Sequence, residues 1–328
     1  MFNAGTIVKV LVANIPNAGY DYRLGECADI GSFVRVNVMN RPCLGVVWGR
    51  GDSNLPEDKI KNVSVIYPQK LNVCDLQWIQ RMSQWTLIPM GMVLRLIINI
   101  PDAFSPLRME PLYAYNFETD ARMTANRQAV ADAYSSNDND AMTVSDVQNI
   151  ARVSSAVVRS MIKNGTLIPV GEQAKQKNTA PLIYNDCGNI TLNPQQQLAA
   201  DAIGKSVADG GFSVHLLDGI TGSGKTQVYF DSAWRAYSAG KSVLLMMPEI
   251  ALTAQFMSRF KNRFGENPVV WHSNLTSARR REIWHGVLNG TIKMVVGTRS
   301  ALFLPWQDLG LIVIDEEHDT SYKQEDMG

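Results

Sequence analysis

Residues Gly219, Ile220, Thr221, Gly222, Ser223, Gly224, Lys225 and Thr226 fit the phosphate-binding pattern G-x-x-x-x-G-K-[ST] in full. The glycines let backbone N–H groups curl around phosphate oxygens, and a helix opening at the lysine adds partial positive charge. Lys225 would reach the β- and γ-phosphates of ATP, and Thr226 would hold Mg²⁺. Far downstream, the apolar run ending Ile312-Val313-Ile314 breaks into Asp315-Glu316-Glu317-His318. At the end of a buried strand, Asp315 would complete the Mg²⁺ shell and Glu316 would accept a proton from the attacking water. On its own such an acidic cluster reads as a solvated loop; the phosphate loop upstream in the same sheet makes it a metal-and-water site. Asn193 caps a helix with Pro194 at its first position, so that Gln196 could point its amide at an adenine ring. An exposed helical glutamine is the alternative.

These residues need a sheet to hold them. From about residue 190 onward, apolar strands (FSVHLLDG, SVLLMMP, PVVWHS, IKMVVGT, LGLIVIDEE) alternate with helical stretches, the signature of a parallel sheet built from βαβ units. In LTAQFMSRFKNRFG, the residues Leu252, Phe256, Phe260 and Phe264 recur every four positions and would line one buried face, leaving the Lys and Arg residues to water.

The first hundred residues alternate strand-like runs (TIVKVLVANI, GSFVRVNVM, LGVVWG, NVSVIYP) with Gly, Pro and Asn, which predicts a small β-rich domain. A helix follows, with Leu76, Ile79 and Met82 at helical spacing, and Pro101 with Pro106 marks a boundary. The middle stretch TVSDVQNIARVSSAVVRSMIKNGTLIPVG predicts two short helices opened by Ser145 and by Ser154 or Ser155, then a Gly and a hairpin. That order is the order of a winged helix, with a small helical connector as the alternative. The expected organisation is multidomain α/β: a β-rich domain over 1–106, a winged helix over 107–175 and a RecA-like P-loop lobe over 176–328.

Composition excludes several classes. The chain of 328 residues is 45% hydrophobic and 19% charged, and no apolar stretch approaches a membrane span. The N-terminus lacks the features of a signal peptide, so a cytoplasmic protein is expected. Cys27, Cys43, Cys74 and Cys187 have no CxxC spacing, which argues against a disulfide framework or a zinc site in this chain. Lys+Arg and Asp+Glu balance at 31 each, so any nucleic-acid binding must come from local patches. His215, His272 and His285 show no ligand spacing.

The blocks GITGSGKT, MPEIALTAQF, WHSNLTSARRREIW and GTRSALFLPWQDLGLIVIDEEHDTSYKQ resemble the first helicase lobe of the primosomal protein N′ (PriA) family of replication-restart DNA helicases. AGYDYRL, GSFVRVNV, GVVWG and LIPMGMVLRLIINIP resemble that family's 3′-end DNA-binding domain, and the middle resembles its winged helix. The resemblance covers essentially the whole chain. It implies an ATP-dependent 3′→5′ DNA helicase that recognises branched or stalled forks, with ATP and Mg²⁺ as cofactors. It further implies single-stranded DNA, primosome proteins, single-strand-binding protein and the loader of the replicative helicase as partners.

The same resemblance assigns Tyr20, Asp21 and Tyr22 to the grip on a 3′-terminal nucleotide, with Lys61 beside that pocket. A ring can stack on the terminal base, and a carboxylate can accept a hydrogen bond from a 3′-hydroxyl while repelling a phosphate. Without the family, Tyr-Asp-Tyr reads as an edge strand with its aromatics in a core. By the same resemblance Arg299 contacts the DNA backbone, and His318 couples the γ-phosphate site to DNA. Arg279, Arg280 and Arg281 add phosphate contacts or form a solvated helix face. The chain departs from the family at Asn37-Val38-Met39, where members usually read Pro-Phe-Gly.

The family continues beyond SYKQ into an aromatic-rich loop, a coupling motif, a second RecA-like lobe with the arginine finger, a two-zinc domain with eight cysteines and a further DNA-binding domain. The expectation for this chain alone is DNA binding with weak nucleotide binding and no unwinding; a non-catalytic DNA-end or fork-binding module is the alternative function.

Overall fold

The computed structural model describes residues 1–16, 19–52, 56, 59–98, 100, 103–104, 109–117, 123–135, 141–174, 183–187, 191–220 and 222–322. They fall into two compact units, one made of Met1–Phe104 with Ala180–Gly328 and the other of Ser105–Thr179.

In the first unit, β1 (Ile7–Val12), β2 (Tyr20–Arg23), β3 (Ser32–Val38), β4 (Arg41–Arg50) and β5 (Val65–Lys70) form an antiparallel sheet ordered β2-β1-β4-β3-β5. Period-two alternation gives the sheet two apolar faces. Val10, Val12, Val34, Val36 and Val47 enter one core, while Leu11, Phe33 and Val46 enter another with the helices. The sheet curls until β2 meets the segment before β5: Arg23 bridges Asn62, its N–H donates to Lys61 O at 2.9 Å, and Val63 N–H donates to Arg23 O at 2.9 Å. Joining the ends in this way takes the outer strand out of competition for foreign partners.

Two helices cover the outer face. α1 (Val73–Thr86) starts from a reciprocal capping box of Asn72 and Asp75, and α2 (Met90–Ile97) lies against β1. Gly91 permits that approach, since a Cβ there would overlap the carbonyl oxygens of Val12 and Ile15.

The same core continues into the parallel sheet of β8 (Ser242–Met246), β9 (Val269–Trp271), β10 (Met294–Gly297) and β11 (Leu309–Ile314), ordered β11-β8-β10-β9. α6 (Pro194–Asp209), α7 (Lys225–Ser238), α8 (Ala254–Phe264) and α9 (Ser277–Leu288) accompany it. Asn193 caps α6 and Pro194 stands at its first turn, as read from the sequence.

Two expectations are corrected in this sheet. FSVHLLDG, Phe212–Gly219, forms no strand: Phe212, Val214 and Leu216 are 94%, 79% and 89% exposed. A strand needs a neighbour for its N–H and C=O groups, and β11, at the edge, pairs only with β8 among the described residues. On α8, Phe260 and Phe264 are buried as expected, but not all its cations face water. Arg263 is 5% exposed, paired with Asp186 and near Asp231, with its guanidinium over the Trp234 ring. A buried charge of this kind persists only where such partners meet it.

The second unit packs α3 (Ala125–Ser135), α4 (Val144–Ala151) and α5 (Ser155–Lys163) on an antiparallel pair, β6 (Met109–Tyr115) and β7 (Leu167–Ala174), around Tyr134, Val147, Val158 and Met161. Thr143, not Ser145, caps α4, in a box with Asp146. Ser154 occupies the cap position of α5 without a side-chain hydrogen bond. The strand after α5 pairs backwards with β6, which precedes the helices, rather than with a following strand.

Candidate nucleotide and DNA-end sites

The phosphate loop lies where α7 begins. Gly222 and Gly224 both have φ of 85°, a conformation that glycine adopts without penalty. A Cβ on Gly224 would fall on Gln196 Nε2. The Lys225 ammonium donates to the carbonyl of Gly219, so the residue expected to meet phosphate already folds over its own loop. Ser223 follows the turn, with its N–H on Ile220 O at 3.1 Å, and Ile220 is 83% exposed. Thr221 lies outside the described residues. Gln196 uses both ends of its amide: Oε1 accepts from Asn193 N–H at 2.9 Å, and Nε2 donates to Ser223 O at 2.8 Å. The glutamine therefore ties the start of α6 to the loop.

The acidic turn meets this loop through a tyrosine. Tyr229 stands one helical turn after Thr226 on α7, and its hydroxyl donates to Asp315 Oδ2 at 2.9 Å while lying in hydrogen-bonding reach of Thr226. Burial, with the neighbouring Asp315 carboxylate acting in the same direction, pushes the Tyr229 phenol up, which keeps it a donor. Asp315 N–H donates to Met246 O at 2.9 Å, and Asp315 Oδ1 accepts from Glu316 N–H at 3.1 Å. Glu316 has φ of 50°, uncommon for a side-chain-bearing residue, and Tyr322 O–H bonds the Asp315 carbonyl at 2.9 Å to hold the turn.

Thr226 and Asp315 offer a hydroxyl and a carboxylate, hard oxygen donors that suit Mg²⁺, an ion that takes further ligands from water and substrate phosphates. Among the described residues no group of three or more His, Cys, Asp or Glu could hold a metal by itself. The hydroxyl and carboxylate oxygens of Thr226 and Asp315 fit an Mg²⁺ that brings nucleotide phosphates and water as its other ligands.

His318 has a side chain 80% exposed, with Nε2 3.5 Å from Glu316 Oε2. Arg299 opens the short 3₁₀ turn Arg299–Phe303 after β10 and lines a cavity of about 610 Å³ with Arg280, Trp271, Glu317 and Tyr322. Of the three consecutive arginines, Arg279 pairs with Glu282 at 2.8 Å, and Arg280 donates to Ser273 O at 2.9 Å with its guanidinium over Trp271.

A second pocket, of about 460 Å³, opens on the curled sheet and is lined by Tyr20, Asp21, Tyr22 and Lys61 together with Asn37, Val38 and Met39. Strand alternation divides the Tyr-Asp-Tyr triplet. Tyr22 is 5% exposed in the valine core, with its hydroxyl on Asn37 O at 3.0 Å, while Tyr20 is 37% exposed. Asp21 Oδ1 is buried and accepts no hydrogen bond from the described residues, an unusual state for a carboxylate oxygen. The departure at Asn37-Val38-Met39 forms the pocket's far rim: Met39 and Asn40, with φ of 46° and 62°, make the two-residue turn between β3 and β4, and Met39 is 87% exposed.

Residues 193–327 match the DEAD/DEAH box helicase family, and residues 9–99 match the 3′DNA-binding domain of PriA. Proteins named replication restart protein PriA align over nearly the whole chain: that of Rickettsia conorii is 30% identical over 325 residues, 98% of this chain. The chain belongs to the PriA family. The Chlamydia pneumoniae PriA is 30% identical over 96% of the chain, and the Haemophilus influenzae PriA is 47% identical over 144 residues, 44% of the chain. The chain spans 38% of the Rickettsia conorii PriA and 44% of the Chlamydia pneumoniae PriA, less than half of each. As a PriA-family chain it carries a helicase domain of a nucleotide-using class and a DNA-binding domain. Among the described residues no helix is long and apolar enough to cross a membrane.

No motif in the sequence marks Tyr229, Tyr322, Lys9 or Asp52. Tyr229 is legible only from its place three residues after Thr226, on a helix that begins at Lys225. Lys9 and Asp52, which meet at the mouth of the second pocket, required strand register.

Proposed function

We propose that this chain recognises the 3′-terminal nucleotide of branched or stalled forks and carries the ATP-binding half of a 3′→5′ replication-restart helicase. Residues 1–106 would grip the DNA end, 107–175 would act as a winged helix on the duplex, and 176–328 would be the first RecA-like lobe. The observation that carries this reading is the Tyr229 hydroxyl bond to Asp315, which gathers the phosphate loop and the acidic turn into one site.

In this reading Lys225 leaves Gly219 O to meet the β- and γ-phosphates, and Gln196 holds the loop in register. Thr226 and Asp315 would hold Mg²⁺, which would supply positive charge beside the transferring phosphoryl group. Glu316, turned by its positive φ, takes the proton of the attacking water, and His318 beside it links this site to DNA held by Arg299. Tyr20 stacks on the terminal base, Asp21 accepts the 3′-hydroxyl, and Lys61 faces the backbone. The site works in the cytoplasm with single-strand-binding protein, primosome proteins and the loader of the replicative helicase. Opening of the duplex needs a second lobe to close the nucleotide site, because an arginine finger contributes on the order of 10³ or more in rate.

The test is steady-state ATP hydrolysis with and without a forked DNA carrying a free 3′-hydroxyl, beside Lys225→Ala. DNA-stimulated turnover abolished by the substitution supports the helicase reading. Fork binding with no turnover at any protein concentration supports the non-catalytic DNA-end module instead.

A further inference from the structure

The pocket on the curled sheet contains a cation that its function as a reader of a terminal hydroxyl does not use. Lys9 lies on β1 directly opposite Asp21 of β2, and side chains of directly opposed residues rise from the same face of an antiparallel pair. Its ammonium donates to Asp52 Oδ1 at 2.6 Å. The Lys9 side chain is 27% exposed and that of Asp52 is 79% exposed, so the pair runs from inside the pocket to its mouth. Asp21 lies within electrostatic range of the Lys9 ammonium, and its Oδ1 remains without a hydrogen bond among the described residues.

We infer that Lys9 is a phosphate-binding and end-specificity residue of this pocket, and that Asp52 is the counter-ion it surrenders when a strand end enters. The inference rests on the reading of the pocket as a 3′-end site. Two carboxylates with no cation between them would repel a polyanion, and Lys9, opposite Asp21 and bonded to Asp52, is placed to offset both, beside Lys59 and Lys61 of the same lining. An exposed carboxylate in an ion pair contributes little to stability and is screened by salt. Asp52 is therefore a weak competitor for an ammonium that a backbone phosphate can take over by a charge-assisted bond. With a terminal 3′-hydroxyl on Asp21, the phosphodiester on the 5′ side of the same nucleotide comes to Lys9. A terminal 3′-phosphate would meet Asp21 instead. Hydroxyl acceptance and phosphate attraction thus reside on adjacent strands, one residue each, and their order fixes which end of a strand fits.

The experiment measures binding of the full chain to a short fluorescent thymidine oligonucleotide ending in 3′-hydroxyl or 3′-phosphate, over a series of salt concentrations. Lys9→Met is expected to weaken binding of the 3′-hydroxyl strand roughly tenfold. It should also make the salt dependence shallower by about 0.7 in log K against log salt. Lys9→Arg should restore most of both, and Asp52→Asn, by removing the competitor, should tighten binding about two- to fivefold, about 0.7 of a decade at most for an exposed pair. Thermal melts matching wild type exclude misfolding as the cause. Equal weakening by Lys9→Met and Asp52→Asn would mean that the pair is only a structural clasp and would overturn the inference. So would unchanged binding by Lys9→Met while Asp21→Asn abolishes end discrimination, a result that leaves the 3′-end reading intact. No discrimination between the two ends by wild type, with Asp21→Asn silent, overturns that reading and this inference with it.

Discussion

The indole Nε1–H of Trp284 donates to the backbone carbonyl of Ile97 at 2.8 Å, across 187 positions of sequence. Trp284 is 1% exposed, and Phe104 stands against it at 5.5 Å between ring centroids while also stacking on Tyr67 at 4.3 Å and meeting Phe33 at 4.9 Å. The curled antiparallel sheet and the parallel sheet are thereby parts of one packed body. Trp284→Phe keeps most of the apolar surface but strands the Ile97 carbonyl. It should lower unfolding free energy by about 1–3 kcal/mol, read from denaturant midpoints. Loss of stability confined to one of the two sheets would contradict the shared core.

Tyr229→Phe removes the hydroxyl that orients Asp315 while keeping the ring in place. Nucleotide affinity should fall roughly tenfold in Mg²⁺ and change little in EDTA, since only the metal-dependent part passes through Asp315. Fluorescent-nucleotide titration in both conditions reads the difference directly. An equal loss in EDTA would point to a packing role.

Asp75 lies half-buried at the start of α1, where burial raises its pKa from 3.8 to about 7 against the opposing pull of the Asn72 N–H. The folded state then binds more protons than the unfolded state across that window, so stability falls as pH rises from about 4 to 7 and levels off above. The slope is at most about 1.4 kcal/mol per pH unit. Asp75→Asn, neutral throughout, should remove that slope and melt above wild type at pH 8, with little difference at pH 4.

The turn at Met39-Asn40 places both residues at positive φ, where Asn-Gly is preferred and a long unbranched side chain is not. The double change Met39→Asn with Asn40→Gly should stabilise the chain by about 1 kcal/mol, seen as a rise in melting temperature. If Met39 also covers a bound strand end, the stabilised variant will bind that end less tightly, so stability and affinity move in opposite directions.

The elements that could be read from sequence are those whose form follows from local geometry. The glycine turn that opens α7, the Asn193-Pro194 helix start and the apolar strands ending at Met246, Trp271 and Gly297 all depend on spacing within a few residues. What escaped depends on neighbours distant in sequence. Lys9 faces Asp21 only through the register of β1 on β2, and Arg263 is buried only because Asp186 arrives beside it. Phe212–Gly219 has every local feature of a strand and still lies outside the sheet, because pairing is a property of two segments. At α4, Ser145 was passed over for Thr143 because Thr143 lies three residues before an acid that completes the reciprocal box.

β11 leaves one side of its backbone unpaired among the described residues, and Ile312 and Ile314 are 42% and 49% exposed. An apolar strand with a free row of N–H and C=O groups is a template for any other extended chain. For the purified chain this means association that grows with concentration and is little relieved by salt, since it is built from backbone hydrogen bonds and aliphatic contact. Light scattering should rise with protein concentration, and Ile312→Lys, placing a charge on that margin, should suppress it.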